Sequence, residues 1–113
     1  MTVRLTVRTA IWRSQIAQQA NAVDGLVPVV KGNGYGFGRV PLAHLAAELA
    51  DTIAVGTVHE LLDLPPGLGC DVLVLTPLLD LPQGVDPART ILTVGRPEHV
   101  AALDGWGGRV VVK

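Results

Sequence analysis

Residues 26–38 read LVPVVKGNGYGFG, and the reading of this stretch governs the reading of the rest. Leu26 to Val30 is an uncharged apolar run that leads straight into Lys31. A short run without alternation suits a strand covered on both sides, as in parallel sheets, so Leu26–Val30 is expected to form the first core strand. Period-two geometry puts Val27, Val29 and Lys31 on one face of such a strand. Val29 is therefore expected to line the pocket that Lys31 enters. Only two lysines occur, Lys31 and Lys113, and the C-terminal end of a parallel strand is where barrels and doubly wound sheets place their chemistry. A partly desolvated lysine there offers a neutral amine to a carbonyl, as Schiff-base chemistry requires. The plain alternative is a lysine that snorkels out from a strand end.

Behind Lys31, Gly32, Gly34, Gly36 and Gly38 alternate with Asn33, Tyr35 and Phe37. Glycines let backbone turn with positive φ and approach a ligand closely. The spacing fits neither the dinucleotide fingerprint, whose third glycine would fall on Phe37 or Arg39, nor a Walker loop, since no lysine follows. A nucleotide is not the favoured ligand.

On the N-terminal side, Val3, Leu5 and Val7 alternate with Arg4, Thr6 and Arg8, the pattern of a half-buried strand at a sheet edge. Thr9 is expected to cap a helix in which Ile11, Trp12, Ile16, Ala20 and Val23 recur at helical spacing until Asp24 and Gly25. On the C-terminal side, a helix with Pro41 in its first turn runs to Ala50. Apolar runs at Ile53–Gly56, Asp71–Leu75, Thr90–Val94 and Arg109–Lys113 then alternate with helices over Thr57–Leu64 and Pro97–Leu103. This is the βαβ pattern of an α/β protein with a parallel sheet. Two closures fit it, an open doubly wound sheet or part of a (β/α)₈ barrel, which needs roughly 250 residues. The last run has nothing after it to cover its faces, so the chain is expected to be partial, with four or five of eight barrel strands present.

The stretch Val29-Val30-Lys31-Gly32-Asn33-Gly34-Tyr35-Gly36-Phe37-Gly38 resembles the signature of the alanine racemase family, a strand ending Val-Val-Lys followed by Ala-Asn-Ala-Tyr-Gly-His-Gly. Ile53 to Leu61 looks like that family's second barrel strand and the helix after it, and Val72 to Leu75 like its third strand. The resemblance implies a fold-type III enzyme with pyridoxal 5'-phosphate as cofactor, in which residues 1–113 form the N-terminal half of a (β/α)₈ TIM-type barrel. A mostly β domain would follow, and the intact protein would be a homodimer. Lys31 would hold the cofactor as a Schiff base and act as one of two acid/base groups in amino-acid racemisation. Tyr35 matches the tyrosine that hydrogen-bonds the cofactor phosphate. Lys113 is set against a lysine carbamylated in some of these racemases, its plain alternative being a chain end. Gly32 and Gly34 stand where alanines are usual and Phe37 where histidine is usual, which leaves the amino-acid substrate open. The second acid/base and most phosphate contacts belong to later segments of the family, so these residues alone are not expected to racemise. The rivals are a decarboxylase or aldolase on the same fold, a non-catalytic pyridoxal-phosphate carrier, and a fragment without cofactor.

Composition agrees with a small-molecule protein. A formal net charge of −1 over 113 residues, with no basic run, gives no reason to expect nucleic acid. Cys70 is the only cysteine, so no internal disulfide or thiolate cluster can form. No signal peptide and no apolar run near the ~18 residues of a membrane span is present, and a cytoplasmic setting is expected. His44 with Glu48, and His59 with Asp63, have ligand-compatible spacing, but two ligands make no zinc site. Residues 59–63 are expected to be a solvent-facing helix surface, His99 has no assigned task, and Cys70 is read as a small buried residue.

Overall fold

The computed structural model describes residues Met1–Lys113. Helix α1 (Thr9–Asn21) and helix α2 (Arg39–Leu49) precede strand β1 (Thr52–Val55), helix α3 (Val58–Leu62), strand β2 (Asp71–Val74), strand β3 (Thr90–Val94), helix α4 (Pro97–Ala102) and strand β4 (Arg109–Val112). All strands are parallel, in the order β1-β2-β3-β4. That order carries no reversal, whereas a doubly wound sheet reverses at a switch point. Val30, Ile53, Val55, Val72, Val74 and Leu92 cluster with Ala43 and Ala46 of α2 and Val58 of α3. These sheet residues share one face by the period of two, so the helices cover a single face. Sequential order with helices on one side is the half-barrel arrangement, and the chain is an α/β fold of the N-terminal half of a TIM-type barrel.

Local chemistry explains the boundaries. The strands are rich in Val, Ile and Thr, whose branched side chains pack on a pleated surface. Thr57 forms a capping box with Glu60 at the start of α3, and Pro97 begins α4, where its missing N–H is no loss. The four apolar runs after residue 50 become the four strands within a residue or two of their expected limits.

Two expectations at the N-terminal end are corrected. Residues 2–8 form no strand and are exposed, because no neighbouring strand takes up their backbone groups and alternation alone cannot hold an extended segment. Thr9 is the first residue of α1 rather than its cap, and no side-chain cap bond is made there. The helix buries no residue. It is tied instead by an Arg13–Glu48 ion pair to α2 and by Trp12 stacked on Phe37, with ring centroids 4.8 Å apart.

Leu26–Val30, the expected first core strand, is reduced to a single parallel bridge between Val29 and Ala54. Val30 N–H donates to Ala54 O and Ala54 N–H to Pro28 O, both at 2.8 Å. One step towards the N-terminus the donor of a parallel ladder would be residue 28, and proline has no N–H. One step towards the C-terminus the donor would be Gly56, whose N–H goes to the Glu60 carboxylate instead. The segment nonetheless occupies the place of a strand beside β1, and Val30 is fully buried.

Candidate functional site at the end of the lysine segment

Lys31 follows Val30 at the C-terminal end of the bridged segment. Extending the Val29–Ala54 register by two residues sets Lys31 beside Gly56. A Cβ placed on Gly56 would come within 3.4 Å of Lys31 Cβ and 2.9 Å of Glu60 Oε2. Glycine at 56 therefore opens the notch beside the lysine. None of the chain's ion pairs engages Lys31, and the side chain is exposed. The amine makes no ion pair, and residues of this chain do not enclose it.

The other two expected site residues lie on either side. Tyr35 sits at the tip of the glycine loop, 61% exposed and with φ of 56°. Phe37 N–H donates to Gly34 O at 3.0 Å, and positive φ at both Tyr35 and Gly36 is the sign pattern of a type I′ turn. Asn33 steadies it, its Oδ1 accepting Gly36 N–H at 3.0 Å and its carbonyl accepting Gly38 N–H at 2.8 Å. Gly34 is held closely: at φ of 67°, a Cβ there would lie 2.5 Å from Gly38 O. Val29 is half-buried and lines a small cavity of about 130 Å³ with Ile16 of α1 and Leu42, Leu45 and Leu49 of α2. Lys31 and Tyr35 line none of the five principal cavities. Val29 and Lys31 thus share none of these five cavities.

Two residues that sequence reasoning passed over hold the lysine end in place. Glu60, expected on a solvent-facing helix surface, is half-buried and turned towards the strand ends. Its Oε1 accepts Gly32 N–H at 2.8 Å, and its Oε2 accepts Gly56 N–H at 2.6 Å and Thr57 N–H at 3.2 Å. Partial burial works to raise the Glu60 carboxyl, but the three backbone donors and the nearby Arg39 outweigh it and hold it below its ordinary value. Arg39, at the start of α2, donates from Nη1 to Gly32 O at 2.9 Å and from Nη2 to Asp63 Oδ2 at 3.3 Å. Both amide groups flanking Gly32 are therefore gripped by side chains. The spacing Thr57-x-x-Glu60, a capping-box signature, was the available signal for Glu60. Nothing in the sequence marks Arg39.

A second turn repeats the arrangement. His99, without an assigned task in the sequence, is buried, and its Nδ1 accepts Gly95 N–H at 3.0 Å and Arg96 N–H at 3.1 Å. Glu60 and His99 thus cap equivalent strand-to-helix turns, Val55-Gly56-Thr57 and Val94-Gly95-Arg96. His44, Glu48, His59 and Asp63 are exposed. Cys70 is buried, which pushes its thiol up from its ordinary value. No helix is long and apolar enough to cross a membrane.

The donor set suits a phosphorylated aldehyde: an uncommitted primary amine at a strand end, with a phenol on a glycine turn four residues on. No curated protein and no solved structure matches the chain. A family model described as alanine racemase, N-terminal domain, matches residues 12–110, and domains of that kind are generally pyridoxal-phosphate-binding. With that match spanning most of its length, the chain belongs to the alanine racemase N-terminal domain family.

Proposed function

We propose that this chain is the cofactor-bearing part of a pyridoxal-phosphate-dependent amino-acid racemase, with Lys31 as the attachment point. The observation that carries the reading is the uncommitted Lys31 amine at the C-terminal end of a parallel strand, beside a glycine notch and ahead of the glycine loop. Family membership supports it independently.

The cofactor, when bound, supplies an electron sink for the carbanion at the substrate Cα. The residues of this chain bind and orient. Lys31 Nζ would hold the cofactor and, once freed from it by the amine of the substrate, would hold or pass a proton at the substrate Cα. Tyr35 Oη is assigned to a phosphate oxygen, and Val29 to the apolar wall next to the lysine. The small amino-acid substrate, a homodimeric intact protein and a cytoplasmic setting belong to the same proposal. A second acid/base from outside residues 1–113 would serve the opposite side.

The test is borohydride reduction after incubation with pyridoxal phosphate, followed by peptide mass mapping. Lys31 is expected to carry the label and Lys31→Ala to abolish it. A label of unchanged extent on the variant would move the cofactor to another amine and overturn the assignment. A visible absorbance band is expected before reduction and is expected to be lost after it.

A further inference from the structure

We propose that Glu60 is a positioning residue for Lys31, its carboxylate standing in for the missing β-ladder and fixing the peptide that follows the lysine. The inference rests on the reading of Lys31 as the reactive amine.

The geometry of a parallel ladder carries the argument. After the Val29–Ala54 bridge, the next two donors in register are the N–H groups of Gly56 and Gly32. In a continuous ladder these would meet Val30 O and Gly56 O. Both go to Glu60 instead, Gly56 to Oε2 and Gly32 to Oε1. The carboxylate is wedged between the two strand ends, takes over their pairing and lets them part where the lysine emerges. Gly32 N–H belongs to the peptide unit that begins at the Lys31 carbonyl, so holding it fixes ψ of Lys31 and with it the direction of Cα–Cβ. Arg39 Nη1 holds Gly32 O, on the following peptide unit, at 2.9 Å, so the peptides on both sides of Gly32 are tethered by side chains. With Pro28 barring an earlier bond, these contacts position the lysine end, and little of the sheet does.

The equivalent turn provides an internal control. His99 caps Gly95 and Arg96 as Glu60 caps Gly56 and Thr57, but it has no bond to the lysine segment. A purely structural cap would behave alike at both turns. Glu60→Gln keeps the side-chain length yet leaves one acceptor oxygen, so it can serve Gly32 or the Gly56–Thr57 pair and not both.

The experiment compares the full wild-type chain, Glu60→Gln and His99→Ala by two readings: hydrogen exchange at the Gly32 amide without cofactor, and the rate of borohydride-trapped pyridoxal-phosphate attachment at Lys31. Glu60→Gln is expected to speed Gly32 exchange and slow attachment, each by about tenfold, while His99→Ala changes neither. Unchanged Gly32 exchange in Glu60→Gln, or equal slowing of attachment in both variants, would overturn the positioning role. If wild-type Lys31 takes no label, the proposed function fails, and the cofactor-free exchange at Gly32 still decides the role of Glu60. Should Glu60→Gln not fold, Glu60→Asp, which keeps the charge one methylene short of Gly32, takes its place under the same expectations.

Discussion

Glu60 Oε1 and the Gly32 N–H are 2.8 Å apart across 28 residues of chain, and this bond joins the helix after β1 to the residue that follows the candidate cofactor lysine. It makes the lysine end sensitive to acid. The Glu60 carboxyl is held below its ordinary value by its backbone donors and Arg39, against the opposing effect of burial. A carboxyl lowered in the folded state contributes its full stability above the unfolded value of ~4.3, and that contribution is lost as pH falls through the lower folded value. The stability difference between wild type and Glu60→Gln, followed by chemical denaturation, should be constant above about pH 5 and shrink on acidification. A difference that widens in acid would contradict this.

Gly34→Ala tests the glycine loop. The added Cβ would stand 2.5 Å from Gly38 O, at a φ of 67° that an L side chain seldom adopts. Backbone, not a pliable side chain, is the obstacle, so a loss of about 1–3 kcal/mol is expected in denaturant midpoints. A variant as stable as wild type would show that this loop rearranges freely.

Trp12→Leu tests how α1 is attached. The helix buries no residue, and the Trp12–Phe37 stack is one of its two named ties. Loss of the aromatic pair should cost about 0.5–1.5 kcal/mol beyond lost area and raise amide exchange in both α1 and residues 32–38. Exchange confined to α1 would show that the loop does not depend on the stack.

Asp71→Asn tests the opposite end of the strands. Asp71 Oδ2 accepts from Arg109 Nη2 at 2.8 Å, and Arg89 lies 3.5 Å from Oδ1. The hydrogen bond from Arg109 lowers the carboxyl most, burial opposes it, and the charges of both arginines add to the lowering. Both arginine side chains are more than half exposed, so solvent screening limits the loss to about 1 kcal/mol or less. The loss should disappear in molar salt. One that survives high salt would indicate a packing role.

The sheet was legible because the apolar runs at 53–56, 71–75, 90–94 and 109–113 are each bounded by turn residues and each find a parallel neighbour. Residues 2–8 carry as clear a pattern, yet a strand exists only by virtue of a partner, and periodicity says nothing about partners. For the lysine segment, the apolar run located its place in the sheet but not the shortness of the pairing. Pro28 was in view as a residue without a donor, whereas the competing acceptor, Glu60, lies 32 positions further on. Lys31 was found because a charge at the end of an apolar run is conspicuous. Glu60 and His99 escaped because each sits in a short helix where a polar residue looks ordinary; their caps on the turns just before them are local, and only the bond from Gly32 to Glu60 needed tertiary geometry to be seen.

Proline at 28 has a mechanical consequence. A plank nailed along its whole length moves only with the floor, but one fixed at a single point can rock. The piece of backbone bearing the candidate cofactor lysine is fastened to its neighbour strand at one spot and otherwise steadied from the side, so the four strands beyond it do not depend on its pairing. On the proposed function, that independence suits an amine assigned first to hold a bulky partner and afterwards to move a proton.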